Sequence, residues 1–202
     1  MQEKQPPMLD PNMSKPVIIV SGLPRSGTSM MMKMLESGGL RILSDNRRKP
    51  DEDNPRGYYE YEKVKDLKKD STCIYEMEGK VVKVISMLLY YLPPGMDYRI
   101  IFMQRNMREI LDSQGRMLER LGKPRKKSDD DHLEKGFEEH LNKITDWLAD
   151  QENMDCMFIN YNKIFDDPLL FCARIQDFVG EGLDIKAMSG AIDPSLYRNR
   201  QE

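Results

Sequence analysis

The chain has 202 residues, 39% of them hydrophobic and 32% charged, with a net charge of −3. That length suits one domain with one substantial core, and the composition is that of a soluble globular protein. The slight acidity argues against nucleic acid as a partner, and no apolar run is long enough to span a bilayer.

Residues 1–15 are polar and carry tandem prolines, which predicts a flexible tail without the apolar stretch of a secretory leader. The remainder, 16–202, reads as a single domain. Val17-Ile18-Ile19-Val20 is a continuous β-branched run, the pattern of a strand covered on both faces in a parallel sheet. Residues 28–37 follow as a helix rich in methionine (Met30, Met31, Met32, Met34), read as core filling beneath the sheet and ended by Gly38-Gly39. A second strand is predicted at 40–43, a polar loop at 45–57 and a charged helix at 58–69. Residues 80–85 read as a strand and 86–92 as a short helical segment. Residues 99–103 form another strand, and 105–121 a helix with Ile110, Leu111, Met117, Leu118 and Leu121 on its apolar face.

A basic loop (Lys123, Arg125, Lys126, Lys127) comes next. Asp129, Asp130 and Asp131 follow, read as first-turn carboxylates of a helix capped by Ser128 rather than as a metal site. That helix runs to about residue 150 with Leu133, Phe137, Leu141, Ile144 and Leu148 on one stripe. A strand at 157–160, a helix at 168–179 stopped by Gly180, and a short helix near 185–189 complete the chain. Strands alternating with helices predict an α/β fold: three layers of the P-loop type, with a mainly parallel central sheet flanked by helices. Cys73, Cys156 and Cys172 form no paired or metal-binding pattern, so reduced thiols and a cytoplasmic protein are expected. Two histidines make no metal centre.

The chemistry-bearing segment is Gly22-Leu23-Pro24-Arg25-Ser26-Gly27-Thr28-Ser29, between the first strand and the first helix. Loop N–H groups and a helix N-terminus aimed at one point make an anion cradle. Gly22 and Gly27 stand where a nucleotide-binding P-loop has its glycines, but Thr28 occupies the place of the lysine that reaches β- and γ-phosphates. Arg25 puts a cation inside the loop instead. The cradle therefore fits an anion other than a triphosphate. In parallel sheets ligands sit at the C-terminal ends of the strands; the loop, Arg105 and Tyr161 each follow a predicted strand and are candidates for one site. Arg105 and Ser113 are two helical turns apart, so both reach one side of their helix. A cation and a hydroxyl so placed can clamp a second phosphate.

With these segments together, the chain resembles the sulfotransferases that use 3′-phosphoadenosine 5′-phosphosulfate. Residues 22–29 are similar to that family's 5′-phosphosulfate loop, and Arg105 with Ser113 to its 3′-phosphate motif. Residues 54–60, Asn-Pro-Arg-Gly-Tyr-Tyr-Glu, resemble a segment of bacterial members. Phe158-Ile159-Asn160-Tyr161 and Phe165-Asp166-Asp167-Pro168 resemble the strand–Tyr–acidic–Pro segment before the family's late helix. The resemblance covers about residues 16–200. It departs from the small-molecule branch, whose strand bears Lys-Thr-His: here Val82-Lys83-Val84-Ile85 has a lysine and no histidine. The branch's C-terminal Arg-Lys-Gly loop is also missing. Arg198 and Arg200 fit either a substitute for that loop or a basic tail.

The resemblance implies transfer of a sulfuryl group from 3′-phosphoadenosine 5′-phosphosulfate to a hydroxyl or similar acceptor, on a small molecule, peptide or glycan, without a metal. Pro24, Arg25, Ser26, Gly27, Thr28 and Ser29 would hold the 5′-phosphosulfate, Arg105 and Ser113 the 3′-phosphate. Tyr161 fits two places, adenine contact or packing at the sheet edge. Lys83 either steadies the leaving group or ends an exposed strand. Glu60 leads as the catalytic base, since other branches use a glutamate; as a first-turn helix carboxylate it would have a purely local role. Asp45 is the second choice of base, and Arg56 is placed to meet an anionic acceptor or to remain solvated. With Arg25, Lys83 and Glu60 form the expected catalytic set. Competing readings are a P-loop small-molecule or nucleotide kinase, and a non-catalytic nucleotide-binding module.

Overall fold

The computed structural model describes residues 15–45, 47–52, 54–123, 130–180 and 182–197. The expected tail lies outside them but for Lys15, as do the Ser128 cap, Asp129, most of the basic loop, Arg198 and Arg200. Strands β1 (Val17–Gly22), β2 (Val81–Lys83), β3 (Tyr98–Gln104) and β4 (Met154–Asn160) form one sheet in the order β2-β1-β3-β4. All three pairings are parallel, with Ile19 opposite both Val82 and Ile100, and Ile100 opposite Cys156.

Parallel neighbours require crossovers, and helices supply most of them. They are α1 (Thr28–Ser37), α2 (Met107–Arg120), α3 (Asp130–Ala149), α4 (Tyr161–Ile164), α5 (Pro168–Val179) and α6 (Ile185–Gly190). Alternation along each strand sends side chains to opposite faces. Val17 and Ile19 enter one core with Val82, Phe102 and the α3 residues Ile144 and Leu148. Ile18 and Val20 enter the other with Met31, Met32, Met34 and Leu35 of α1, Ile175 of α5 and Met188 of α6. The methionines Met31, Met32 and Met34 are fully buried, where their flexible chains fill the space under the sheet. Each such buried side chain contributes about 1.5–3 kcal/mol. The result is the three-layer α/β arrangement expected from the sequence.

Start signals explain several helix boundaries. Asn106 accepts from Arg108 N and Glu109 N at the start of α2. Asp167 accepts from Leu170 N at α5, with Pro168 in the first turn, where its missing N–H costs nothing.

Several elements differ from expectation, among them the strand at 80–85, which is only the three-residue β2. The strand at 40–43 is reduced to a single bridge, Ile42 to Val81, closed by Leu43 N to Val81 O and Val81 N to Arg41 O. The charged helix at 58–69 is only a 3-10 segment, Glu62–Asp66. Gly57 and Tyr59 take positive φ, 94° and 53°, and the Asp45 carboxylate accepts from Glu62 N, which starts the helical turn there. Tyr58, Glu60 and Tyr61 are thereby left free of helix to line the site. In α2, Ile110 and Leu111 are buried, but Leu121 is exposed and Met117 lines a cavity.

Candidate active site

The C-terminal ends of β1, β2, β3 and β4 converge on a cavity of about 360 Å³. The loop after β1 forms its floor. Gly22 and Gly27 both have positive φ, 141° and 99°. A Cβ on Gly27 would lie 2.3 Å from the Tyr161 ring, and one on Gly22 would lie 2.6 Å from Met103 O. Glycine is required twice over, for conformation and for space. Ser26 N bonds back to Leu23 O and tightens the turn. Gly27 caps α1 without any side-chain bond, and no acidic residue stands in the first turn. The helix N-terminus is thus left open to an external anion.

Arg25 lies in the left-handed region, φ 73°, and is tied at both ends. Its Nε donates to Ser113 Oγ at 2.8 Å, and its carbonyl accepts from Arg105 Nη1 at 3.1 Å. The two anion sites read from the sequence are therefore one connected cluster. Arg105 just precedes the Asn106 cap of α2 instead of opening the helix itself. Its Nε bonds the Glu109 carboxylate at 2.8 Å, and its guanidinium lies over the Tyr161 ring, 4.5 Å from the centroid.

Lys83 ends β2 in a nearly buried position. Its ammonium donates to Tyr58 O and, at 3.4 Å, to Ser29 Oγ. Burial lowers its pKa to about 8, opposed by the charge of Glu60 and assisted by Arg48 and Arg25. Ser29 Oγ also accepts from Asn54 Nδ2 at 2.9 Å, which moors the 51–57 loop to the start of α1. Glu60 faces the cavity between two cations, Arg48 at 3.1 Å and Lys65 at 3.4 Å. Arg48 lies over the Tyr58 ring, 3.3 Å from its centroid.

Pro24, Arg25, Gly27, Thr28, Ser29, Glu60, Lys83, Arg105, Ser113 and Tyr161 all line this one cavity. Ser26 does not. Its hydroxyl is fully buried beneath the loop with no hydrogen-bond partner, so its contribution is to the turn. Tyr161 is only 5% exposed, packed on Gly27, Phe165 and Tyr197; it is a wall of the cradle more than an open stacking platform. Glu60 lies outside any helix and is not a first-turn dipole partner. Asp45, the second choice of base, is a turn former: bonds from Glu62 N and then Arg47 N hold its pKa down, and it does not line the cavity. Arg56 lines the cavity, donates to Ala191 O and Asp193, and keeps its side chain 36% exposed.

Arg48, Arg116 and Arg120 also line the cavity and were missed by sequence reasoning. For Arg116 and Arg120 a signal existed, since they stand three and seven residues beyond Ser113 on the same helical face. Arg48 had none, because it lies in an irregular loop. Nine lysines and arginines line the cavity against two carboxylates among the described residues, in a chain whose net charge is −3. Walls of one sign with low-dielectric surroundings concentrate anions. Among the described residues no group of His, Cys, Asp and Glu is arranged to hold a metal ion, and no helix is long and apolar enough to cross a membrane.

A four-stranded parallel sheet between helices, with a glycine-bounded loop at its C-terminal edge, defines a P-loop-type α/β protein. The chain belongs to the sulfotransferase family: the model of the sulfotransferase domain matches residues 15–199. Its fold is similar to that of a sulfotransferase from Alicyclobacillus acidocaldarius, with a TM-score of 0.51 and 14% identity over 91% of this chain and 88% of that one. It is also similar to the sulfotransferase domain from the curacin biosynthetic pathway, with a TM-score of 0.48 and 14% identity over 94% of this chain and 79% of that one. No curated protein sequence is significantly similar to it.

Proposed function

We propose that the protein moves the sulfuryl group of 3′-phosphoadenosine 5′-phosphosulfate onto a hydroxyl or similar acceptor. The observation that carries this reading is the Arg25–Ser113 bond, which joins the loop's anion cradle to the Arg105 wall within one cavity. A donor with one phosphosulfate and one separate phosphate needs two anion sites at a fixed spacing. A triphosphate needs the loop lysine that Thr28 replaces.

In this reading the N–H groups around Gly27, Thr28 and Ser29 hold the 5′-phosphosulfate with Arg25. Arg105 and Ser113 take the 3′-phosphate. Charge-assisted bonds of this kind are worth about 1.5–3 kcal/mol each. Glu60 accepts the acceptor's proton as its oxygen attacks sulfur. The bond from sulfur to the 5′-phosphate oxygen breaks in line, and the electron pair stays on that oxygen. Lys83, an ammonium fixed by Tyr58 O and Ser29, stabilises the charge that develops there. Positioning and electrostatics supply most of the rate, as in phosphoryl transfer. The acceptor, a small molecule or the hydroxyl of a peptide or glycan, enters beside Glu60, where Tyr61, Val64, Ile85 and Leu88 give an apolar wall.

Calorimetry tests the donor. Adenosine 3′,5′-bisphosphate is expected to bind tightly and ATP weakly, with no magnesium requirement. Comparable, magnesium-dependent ATP binding would replace this reading with a kinase. Release of bisphosphate from the sulfated donor, measured with a panel of hydroxyl acceptors, separates an enzyme from a binding module.

A further inference from the structure

Arg105 is surrounded by groups that the donor reading leaves unused. The Glu109 carboxylate is almost wholly buried next to the place assigned to a phosphate, where a negative charge is unfavourable unless it is fully satisfied. It is well bonded. One oxygen accepts from Arg105 Nε at 2.8 Å. The other accepts from Asn162 Nδ2 and from the Tyr197 hydroxyl, both at 2.9 Å. Asn162 also donates to the Tyr197 oxygen. The ring of Tyr197 is stacked on Phe165, with centroids 4.9 Å apart and planes 19° apart, and stands 5.5 Å from the Arg105 guanidinium. Residues from α2, α4 and the segment after α6 thus meet on one buried carboxylate.

Two consequences follow for Arg105. Glu109 offsets its charge, so a nearby anion gains less from Coulomb attraction than a bare guanidinium would offer. Its Nε and one N–H of Nη1 are also engaged, while the Tyr161 and Tyr197 rings limit tilting. The remaining N–H groups of the planar fork point in one set of directions. Recognition there rests on aim more than on charge.

We propose that Glu109 and Tyr197 are positioning residues for the donor's 3′-phosphate: through the buried Glu109 carboxylate, the Tyr197 hydroxyl sets the orientation of Arg105 and with it the preference for a 3′-phosphorylated nucleotide. The inference rests on Arg105 being the 3′-phosphate ligand. It assigns a part of the donor site to the C-terminal segment that carries Tyr197.

The test is the ratio of affinities for adenosine 3′,5′-bisphosphate and adenosine 5′-monophosphate, measured by calorimetry on the full chain. Tyr197→Phe keeps the ring stack and removes only the hydroxyl. It is expected to weaken the bisphosphate by about five- to tenfold, a fraction of one hydrogen bond to a charged group, and to leave the monophosphate within about twofold. Glu109→Asp keeps the charge but shortens the reach, and is expected to cause the same selective loss; it decides the matter if Tyr197→Phe does not fold. Equal losses for both nucleotides would show a merely structural role and overturn the proposal. An unchanged ratio with a clear bisphosphate preference in the parent protein would overturn it while leaving the donor reading intact. A parent protein with no bisphosphate preference would remove the donor reading and the proposal together.

Discussion

At the end of the cavity built by β1, β3 and β4, the polar groups are buried: Glu109 is 1% exposed and Ser113 5%. At the other end, formed by Arg48, Glu60, Lys65 and their neighbours beside β2, the side chains of Arg48 and Lys65 are 43% and 56% exposed and that of Glu60 23%. The first end hangs from strand termini and helix caps, and its hydrogen bonds are shielded from water. The second is held by ion pairs at the surface, which contribute about 0–1 kcal/mol and weaken with salt. On the proposed reading, the donor is held at the buried end and the acceptor meets the more exposed one. Lys83 stands at the seam, buried like one end and placed beside the charges of the other.

The largest expected effect is at that seam. Lys83→Ala should lower the rate of bisphosphate release from the sulfated donor by about 10²–10³-fold, the usual cost of losing a fixed donor to a developing anion. A loss below about threefold would take Lys83 out of the chemistry. Next is Glu60→Gln, expected to reduce turnover by about a hundredfold with bisphosphate affinity unchanged in calorimetry. Full activity would move the base elsewhere and make the exposed end purely a binding surface.

Arg105→Ala probes the buried end. It should weaken adenosine 3′,5′-bisphosphate by about tenfold or more, with a much smaller change for the 5′-monophosphate. Equal losses would break the assignment of that end to the 3′-phosphate.

A pH effect of intermediate size belongs to Lys83. Burial lowers its pKa in the folded protein from 10.5 to about 8, so between those values the unfolded chain binds more protons. Stability should therefore rise as pH climbs from about 8 towards 10.5, and urea midpoints of the parent and of Lys83→Met should diverge across that window. A bound anion favours the ammonium, so bisphosphate binding above pH 8 should take up protons, visible as buffer-dependent binding heat. The smallest effect is expected for Arg48→Ala, a stability change within about 1 kcal/mol that shrinks in high salt. A larger, salt-insensitive loss would mean that the two ends are equally rigid.

The buried end was also the more legible one in the sequence. The glycines at 22 and 27 mark a turn that only glycine fits, short apolar runs mark the strands before each polar segment, and Pro168 and Gly180 bound α5. These are local rules acting over a few residues. The exposed end obeys none of them. Residues 58–69 carry a helical charge pattern, yet the positive φ values at Gly57 and Tyr59 and the cap from Asp45 confine helix to Glu62–Asp66. Glu60 could be named a candidate base, but its two cations come from 12 residues earlier and five later, and nothing in the order of residues announces them.

By itself the sequence determined the layered α/β class, the mainly parallel sheet and the glycine-bounded loop after the first strand, because periodicity, glycine conformation and helix caps depend on near neighbours in the chain. Only the tertiary structure decided that Arg25 bonds Ser113 across 88 positions, that Lys83 is buried against Tyr58, and that Tyr197 reaches Glu109. Those contacts depend on which strand ends lie side by side. The parallel order β2-β1-β3-β4 brings them together, and side-chain burial then gives them their strength.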